Sequence, residues 1–374
     1  MRIEFFKNTK RIVVKIGTAA LTSNGRFCPT RIKAIVKDIV SMSEQNPHIQ
    51  WLIVSSGAVS AGMQKMQKKR RPNDVAQLQA LAAIGQPQVI QHFCKAFESS
   101  GKTSAQVLLT WEDLSNRSRF ESTKRTVAAL TAAKVFTIIN ENDTVSTQEI
   151  EFGDNDQLSS MVAAMFGADA LIFLTDSNGF YADFNMGEST RLSMVDDLNH
   201  GIFKAIKDKP GEHTRGGMTS KLEAVKKALK AGIPCVLASG QKKKVLQALF
   251  NGEDTGTLFL PTLKRLSSKK HWIRYIAKST GSISIDAGAT NALLNRGKSL
   301  LSKGVIDIKG YFAAGASILI KDEDQHIVGR GIVNFTSIEL ETIRGLRSNE
   351  WSAALGKPCL DEILHRDNFV KEEA

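Results

Sequence analysis

Four cysteines in 374 residues are too few and too scattered for a disulfide framework or a thiolate metal cage. Cys28, Cys94, Cys235 and Cys359 include no CxxC pair. They read as reduced thiols, and the compartment expected from them is the cytoplasm. No run of about eighteen apolar residues occurs, so no membrane-spanning helix is expected. The opening MRIEFFKNTKRIVVKIG lacks a long apolar core before a small-residue cleavage site, so a secretory leader is not expected either. None of the seven histidines has HExxH spacing, and no Gly-x-Ser-x-Gly elbow is present. Zinc-hydrolase and serine-hydrolase chemistry therefore have no support. Internal repeats and low-complexity tracts are also missing.

What is present suits a globular protein: 42% apolar and 24% charged residues. A chain of this length exceeds what one core usually serves, which predicts two domains. The net charge of +12 is unevenly spread. Residues 1–277 carry 38 Lys and Arg against 25 Asp and Glu, whereas residues 278–374 carry 12 against 13. Clusters such as 68–71, 226–230 and 242–244 read as solvated faces of a protein that handles anionic ligands, not as a nucleic-acid face.

The first two thirds alternate β-branched runs with helical patterns. Strands are expected at 11–16 (RIVVKI), 51–55 (WLIVS), 135–140 (VFTIIN), 170–175 (ALIFLT) and 233–238 (IPCVLA). Between them lie apolar residues at helical spacing, such as Met218, Leu222, Val225 and Leu229, closed by Gly232. This predicts an α/β fold, an open and mostly parallel sheet sandwiched by helices, with ligands at the carboxyl ends of the strands. A basic stretch reads as a linker, 263–279. Beyond it the short runs 282–285, 305–309, 317–320 and 327–333, with a helical piece at 290–294, predict a small mostly-β module over 280–360 and a tail over 361–374. The catalytic domain is expected over 1–262.

The strand ends carry the chemistry. Lys15-Ile16-Gly17-Thr18 sets an ammonium beside backbone N–H groups, which suits a phosphate, although a surface lysine before a turn would look the same. It is not a P-loop, because the Gly-x4-Gly-Lys spacing is absent. Ser55 to Gly62 (SSGAVSAG) offers small residues at a helix start, equally readable as an N-cap and a close helix contact. Glu141-Asn142-Asp143 and, shortly after, Gly153-Asp154-Asn155-Asp156 concentrate carboxylates and amides beyond what one cap needs. They could receive a substrate ammonium, orient lysines or hold Mg²⁺. Thr175-Asp176 ends another strand, and Arg215-Gly216-Gly217-Met218-Thr219-Ser220-Lys221 opens a helix as a candidate anion cradle. A carboxylate nucleophile is already ionised near neutral pH and needs alignment and charge cancellation, not a general base. That matches a site rich in lysine and glycine and poor in histidine.

Taken in order, KIGT (15–18), SSGAVSAG (55–62), INEND (139–143), GDNDQLS (153–159), LTD (174–176) and GGMTSK (216–221) resemble the amino-acid kinase family over roughly residues 10–260. INEND followed by GDND is most similar to the members that phosphorylate glutamate. IDAGATNALLNRGKSLL (285–301) looks like the start of a PUA module. The resemblance implies transfer of the γ-phosphate of ATP to the side-chain carboxylate of L-glutamate, giving L-glutamyl 5-phosphate and ADP, the first step toward proline. It implies ATP and Mg²⁺, the ion carried largely by the nucleotide. Lys15 and Lys221 would stabilise the transferring group and Asp156 would orient them. Ser56, Asp143, Asp154 and Asn155 would hold glutamate. Lys15, Thr175, Asp176 and the loop Arg215, Gly216, Gly217, Met218, Thr219, Ser220, Lys221 would hold ATP. A homo-oligomer, feedback inhibition by proline and hand-over to glutamyl phosphate reductase are further implications. The alternatives are a kinase of aspartate or N-acetylglutamate, and RNA binding through the PUA-like module, which its net charge of −1 disfavours.

Overall fold

The computed structural model describes residues 2–23, 25–145, 155–185, 188–196, 218–261 and 267–372. The chain divides into two compact units, one of residues 1–113 and 122–265, the other of residues 114–121 and 266–374.

The first unit is built on an eight-stranded sheet. Its strands are β1 (Arg11–Ile16), β2 (Gln50–Ser55), β3 (Ser104–Leu109), β4 (Phe136–Glu141), β5 (Ala170–Thr175), β6 (Met194–Val195), β7 (Cys235–Ser239) and β8 (Thr257–Phe259), in the spatial order β6-β8-β7-β5-β1-β2-β4-β3. All pairings are parallel except β7 with β8. The central β1 is apolar and β-branched because both of its faces are covered. Ile12, Val14 and Ile16 turn to one side and pack in a core with Ile32, Val36 and Ile39 of helix α1 (Pro29–Gln45). Period-two alternation turns Val13 and Lys15 to the other side. There β1 meets helix α4 (Asn155–Phe166), all twelve residues of which are buried.

Two further helices, α2 (Ala58–Lys65) and α3 (Val75–Glu98), pack with almost no side chain between them. A Cβ on Gly62 would lie 1.9 Å from the Leu81 carbonyl oxygen, and one on Gly85 would lie 1.9 Å from that of Ala58. Only glycine permits that approach. The contact fixes the start of α2, directly after β2. Helix α5 (Met218–Lys230) packs against α4.

Strand β3 goes beyond the expected set. SAQVLL is an edge strand paired only to β4, and it is half-exposed, so no uniform apolar run betrays it. Strand β7 starts at Cys235 instead of residue 233, since Pro234 brings no N–H to a ladder.

The second unit holds a five-stranded sheet of β9 (Ser282–Ile285), β10 (Val305–Lys309), β11 (Ser317–Lys321), β12 (Ile327–Ile332) and β13 (Phe369–Lys371), ordered β10-β9-β11-β12-β13. The helical piece runs Ala287–Leu294, three residues earlier than its apolar pattern indicates, because Asp286 accepts from the Ala289 N–H at 2.6 Å and caps it. The segment expected as a tail supplies β13 and the core residues Ile363 and Leu364. The segment read as a linker is helical over Ser268–His271 and Trp272–Ile276, with Trp272 buried and its indole N–H donating to the Leu114 carbonyl at 2.7 Å.

Candidate active site

Three elements converge on one buried carboxylate. Asp156 lies in the first turn of α4, where a negative charge suits the helix dipole, and is wholly inaccessible. Lys15, next to last on β1 and 1% exposed, pairs with Asp156 Oδ1. Lys221, in the first turn of α5, lies 3.6 Å from Asp156 Oδ2. Burying an ammonium costs several kcal/mol unless it is paired, so Asp156 is what allows Lys15 to sit inside the fold. Strand, helix and helix thus bring both lysines to the same anion.

Beside this cluster runs a chain of amides. Asn155 Nδ2 contacts the Ser55 carbonyl at 2.5 Å, Asn140 Oδ1 at 2.7 Å and Ser56 Oγ at 3.1 Å. Asn140 in turn donates to Gln86 Oε1 at 2.5 Å, which ties the network to α3. The Asn155 Oδ1 is buried without a hydrogen-bond partner among the described residues.

Two carboxylates differ in electrostatics. Burial pushes Asp143 up to about 6, with the nearby Arg71 charge opposing the rise. Asp176 is held below its ordinary value, chiefly by the Thr175 hydroxyl donating at 2.7 Å and also by the Ser177 N–H at 3.1 Å and the charge of Lys221, against the opposing effect of burial.

These groups surround a cavity of about 480 Å³ at the carboxyl ends of β1, β2, β4 and β5. Its wall includes Lys15, Gly17, Thr18, Ser56, Gly57, Arg71, Asn140, Glu141, Asp143, Asn155, Thr175, Asp176 and Lys221. Gly57 has φ +98°, a conformation side-chain-bearing residues avoid, and it turns the chain from β2 into α2. A Cβ on Gly17 would meet the Leu174 carbonyl oxygen at 3.2 Å and Lys15 Nζ at 3.6 Å, so its absence leaves room beside the ammonium.

Of the residues singled out in the sequence, Lys15, Ser56, Asp143, Asn155, Thr175, Asp176 and Lys221 line this cavity, and Asp156 lies behind the lysines. Met218, Thr219 and Ser220 form the first turn of α5 but do not line it. Asp154, Arg215, Gly216 and Gly217 lie outside the described residues. Three participants were not singled out. Asn140 stands inside the INEND motif, Gln86 has no local signal, and Arg71 is hidden in a basic cluster.

A cavity at parallel strand ends, with two lysines set on one buried carboxylate, is the arrangement of an enzyme that handles a polyanion by charge neutralisation. The amino acid kinase family matches residues 10–239, and the PUA domain matches residues 281–355. The glutamate 5-kinase of Geobacter sp. (strain M21) is 39% identical over 373 residues, 99% of this chain and 100% of that protein. Those of Thermoanaerobacter sp. (strain X514) and Dictyoglomus turgidum are 38% and 39% identical over 96% and 97% of this chain, and 97% and 98% of theirs. A carbamate kinase from Giardia lamblia, solved with AMP-PNP, shares the fold at 13% identity, with a TM-score of 0.50 over 68% of this chain and 99% of its own. The chain belongs to the amino acid kinase family, with a PUA domain after the kinase fold. No described helix is long and apolar enough to cross a membrane.

Proposed function

We propose that this protein is an ATP-dependent kinase of the L-glutamate side-chain carboxylate, forming L-glutamyl 5-phosphate and ADP and thereby opening proline synthesis. The observation that carries this is the Lys15–Asp156–Lys221 cluster in the cavity wall of a chain whose full-length relatives are glutamate 5-kinases.

In this reading glutamate presents an ionised carboxylate, and no group need remove a proton from it. Lys15 and Lys221 neutralise charge on the transferring phosphoryl group, and Asp156 keeps their ammonium groups together during transfer. Asp143 receives the α-ammonium, and Ser56 and Asn155 fix the acid beside β2. Thr175, Asp176 and the start of α5 face the nucleotide, as would Arg215, Gly216 and Gly217; Asp154 joins the glutamate side.

Mg²⁺ would arrive on the ATP phosphates and spread their charge, as such ions commonly do with only one or two protein carboxylates. Asp176, kept ionised by Thr175, is the cavity carboxylate suited to meet it. Among the described residues, the group of three potential metal ligands, Asp322, Asp324 and His326, lies in the second unit. A cytoplasmic setting, a homo-oligomeric state, inhibition by proline and delivery of the labile acyl phosphate to glutamyl phosphate reductase complete the reading. Measuring ADP release with glutamate, aspartate and N-acetylglutamate tests it: glutamate should dominate kcat/KM, and dominance of either other acid would reassign the substrate.

A further inference from the structure

We infer that Arg71 reads the α-carboxylate of the acceptor, so that Arg71 and Asp143 form a paired receptor for the zwitterionic end of a free amino acid; this rests on the glutamate reading above. Among the described residues three cations line the cavity, Lys15, Lys221 and Arg71. Lys15 and Lys221 both sit on Asp156 and belong to the transferring end. Arg71 lines the same cavity. It lies on the exposed segment between α2 and α3, and its charge acts on Asp143.

The chemistry of the acceptor explains the pairing. An α-amino acid carries its ammonium and its carboxylate on one carbon, so groups that bind them must be neighbours. Asp143 complements the ammonium. The adjacent carboxylate then needs a cation near Asp143, and a guanidinium meets a carboxylate through two parallel N–H donors. The side-chain carboxylate is left to extend toward Lys15. The same pairing sets selectivity. Glutamate α-amide (L-isoglutamine) retains the ammonium and the reactive carboxylate but offers Arg71 no anion. The competing receptor is the run of backbone N–H groups at the start of α2, around Gly57 to Ser60, which also line the cavity.

The two receptors are separated by assaying wild type, Arg71→Ala and Arg71→Lys on L-glutamate and L-isoglutamine with the full-length protein. Arg71→Ala should raise the glutamate KM by about 10- to 100-fold, the value of one charged hydrogen-bonded contact. It should leave kcat within about threefold and the ATP KM unchanged, because the contact is made equally before and during transfer. The isoglutamine KM should not respond, so wild-type preference for glutamate over the amide collapses by the same factor. Lysine should restore part of it. An unchanged preference ratio in Arg71→Ala overturns the inference in favour of the α2 backbone, and a rise confined to the ATP KM moves Arg71 to the nucleotide. A wild-type protein that phosphorylates neither compound overturns the glutamate reading, and this inference with it, a result distinct from an unchanged ratio.

Discussion

Asp156→Asn separates a structural salt bridge from a catalytic one. The substitution keeps the size of the side chain and removes the anion shared by Lys15 and Lys221. Lys15 is 1% exposed and cannot turn to water, whereas Lys221 is 12% exposed at its side chain and can. The cost therefore falls on Lys15, a buried charge that loses its Asp156 counter-ion, at about 3–5 kcal/mol. For a unit of this size each kcal/mol moves Tm by roughly 2–4 °C, so a fall of about 6–20 °C is expected. Lys15→Met removes the stranded charge, and the double variant Lys15→Met/Asp156→Asn should regain about 2 kcal/mol or more relative to the sum of the single effects. Thermal and urea unfolding of the four proteins give the coupling directly. Additivity within about 0.5 kcal/mol would refute the claim that Asp156 holds Lys15 inside the fold.

Asp143 predicts a pH dependence. With its folded value near 6 and an unfolded value near ~3.9, the folded protein binds the extra proton between these limits, so this group's contribution to stability falls as pH rises through that window. Asp143→Asn should accordingly be at least as stable as wild type at pH 7. The glutamate KM of wild type should rise as pH drops below about 6, and Asp143→Asn should have a high KM without that inflection; a wild-type profile flat from pH 5 to 8 would contradict the assignment. Gly85→Ala forces a Cβ against the Ala58 carbonyl, which should cost about 1–3 kcal/mol and raise the glutamate KM by displacing the start of α2. A chain ending at Thr262 should keep phosphoryl transfer yet unfold at a lower temperature, since Leu114 and Phe120 lose the cover of Trp272; loss of turnover in a folded protein would place part of the active site in the second unit.

Much of the catalytic unit was legible because its central strands are buried on both faces and therefore read as uninterrupted β-branched runs. The site was legible where chemistry and position coincide: a lysine in a buried strand, Lys15, and a carboxylate at a helix start, Asp156, are costly unless used. Edge elements were harder. Strand β3 pairs on one side only and retains polar residues, and β13 is a short strand, Phe369–Lys371, formed where the chain returns to pair with β12, which ends at Ile332. Gln86 could not be read at all, since its partner Asn140 is 54 residues away. Arg71 carried no signal for the same reason: its sequence neighbours are other basic residues, and only folding sets it beside Asp143.

The central claim, that the two lysines on Asp156 transfer phosphate to a carboxylate, is tested most directly by trapping the product. Wild type with ATP, Mg²⁺ and L-glutamate in hydroxylamine should yield the γ-glutamyl hydroxamate. Folded Lys15→Ala and Lys221→Ala proteins should each form it about 10²–10³ times more slowly, with the glutamate KM little changed. Hydroxamate formation at the wild-type rate by folded Lys15→Ala or Lys221→Ala would contradict the account.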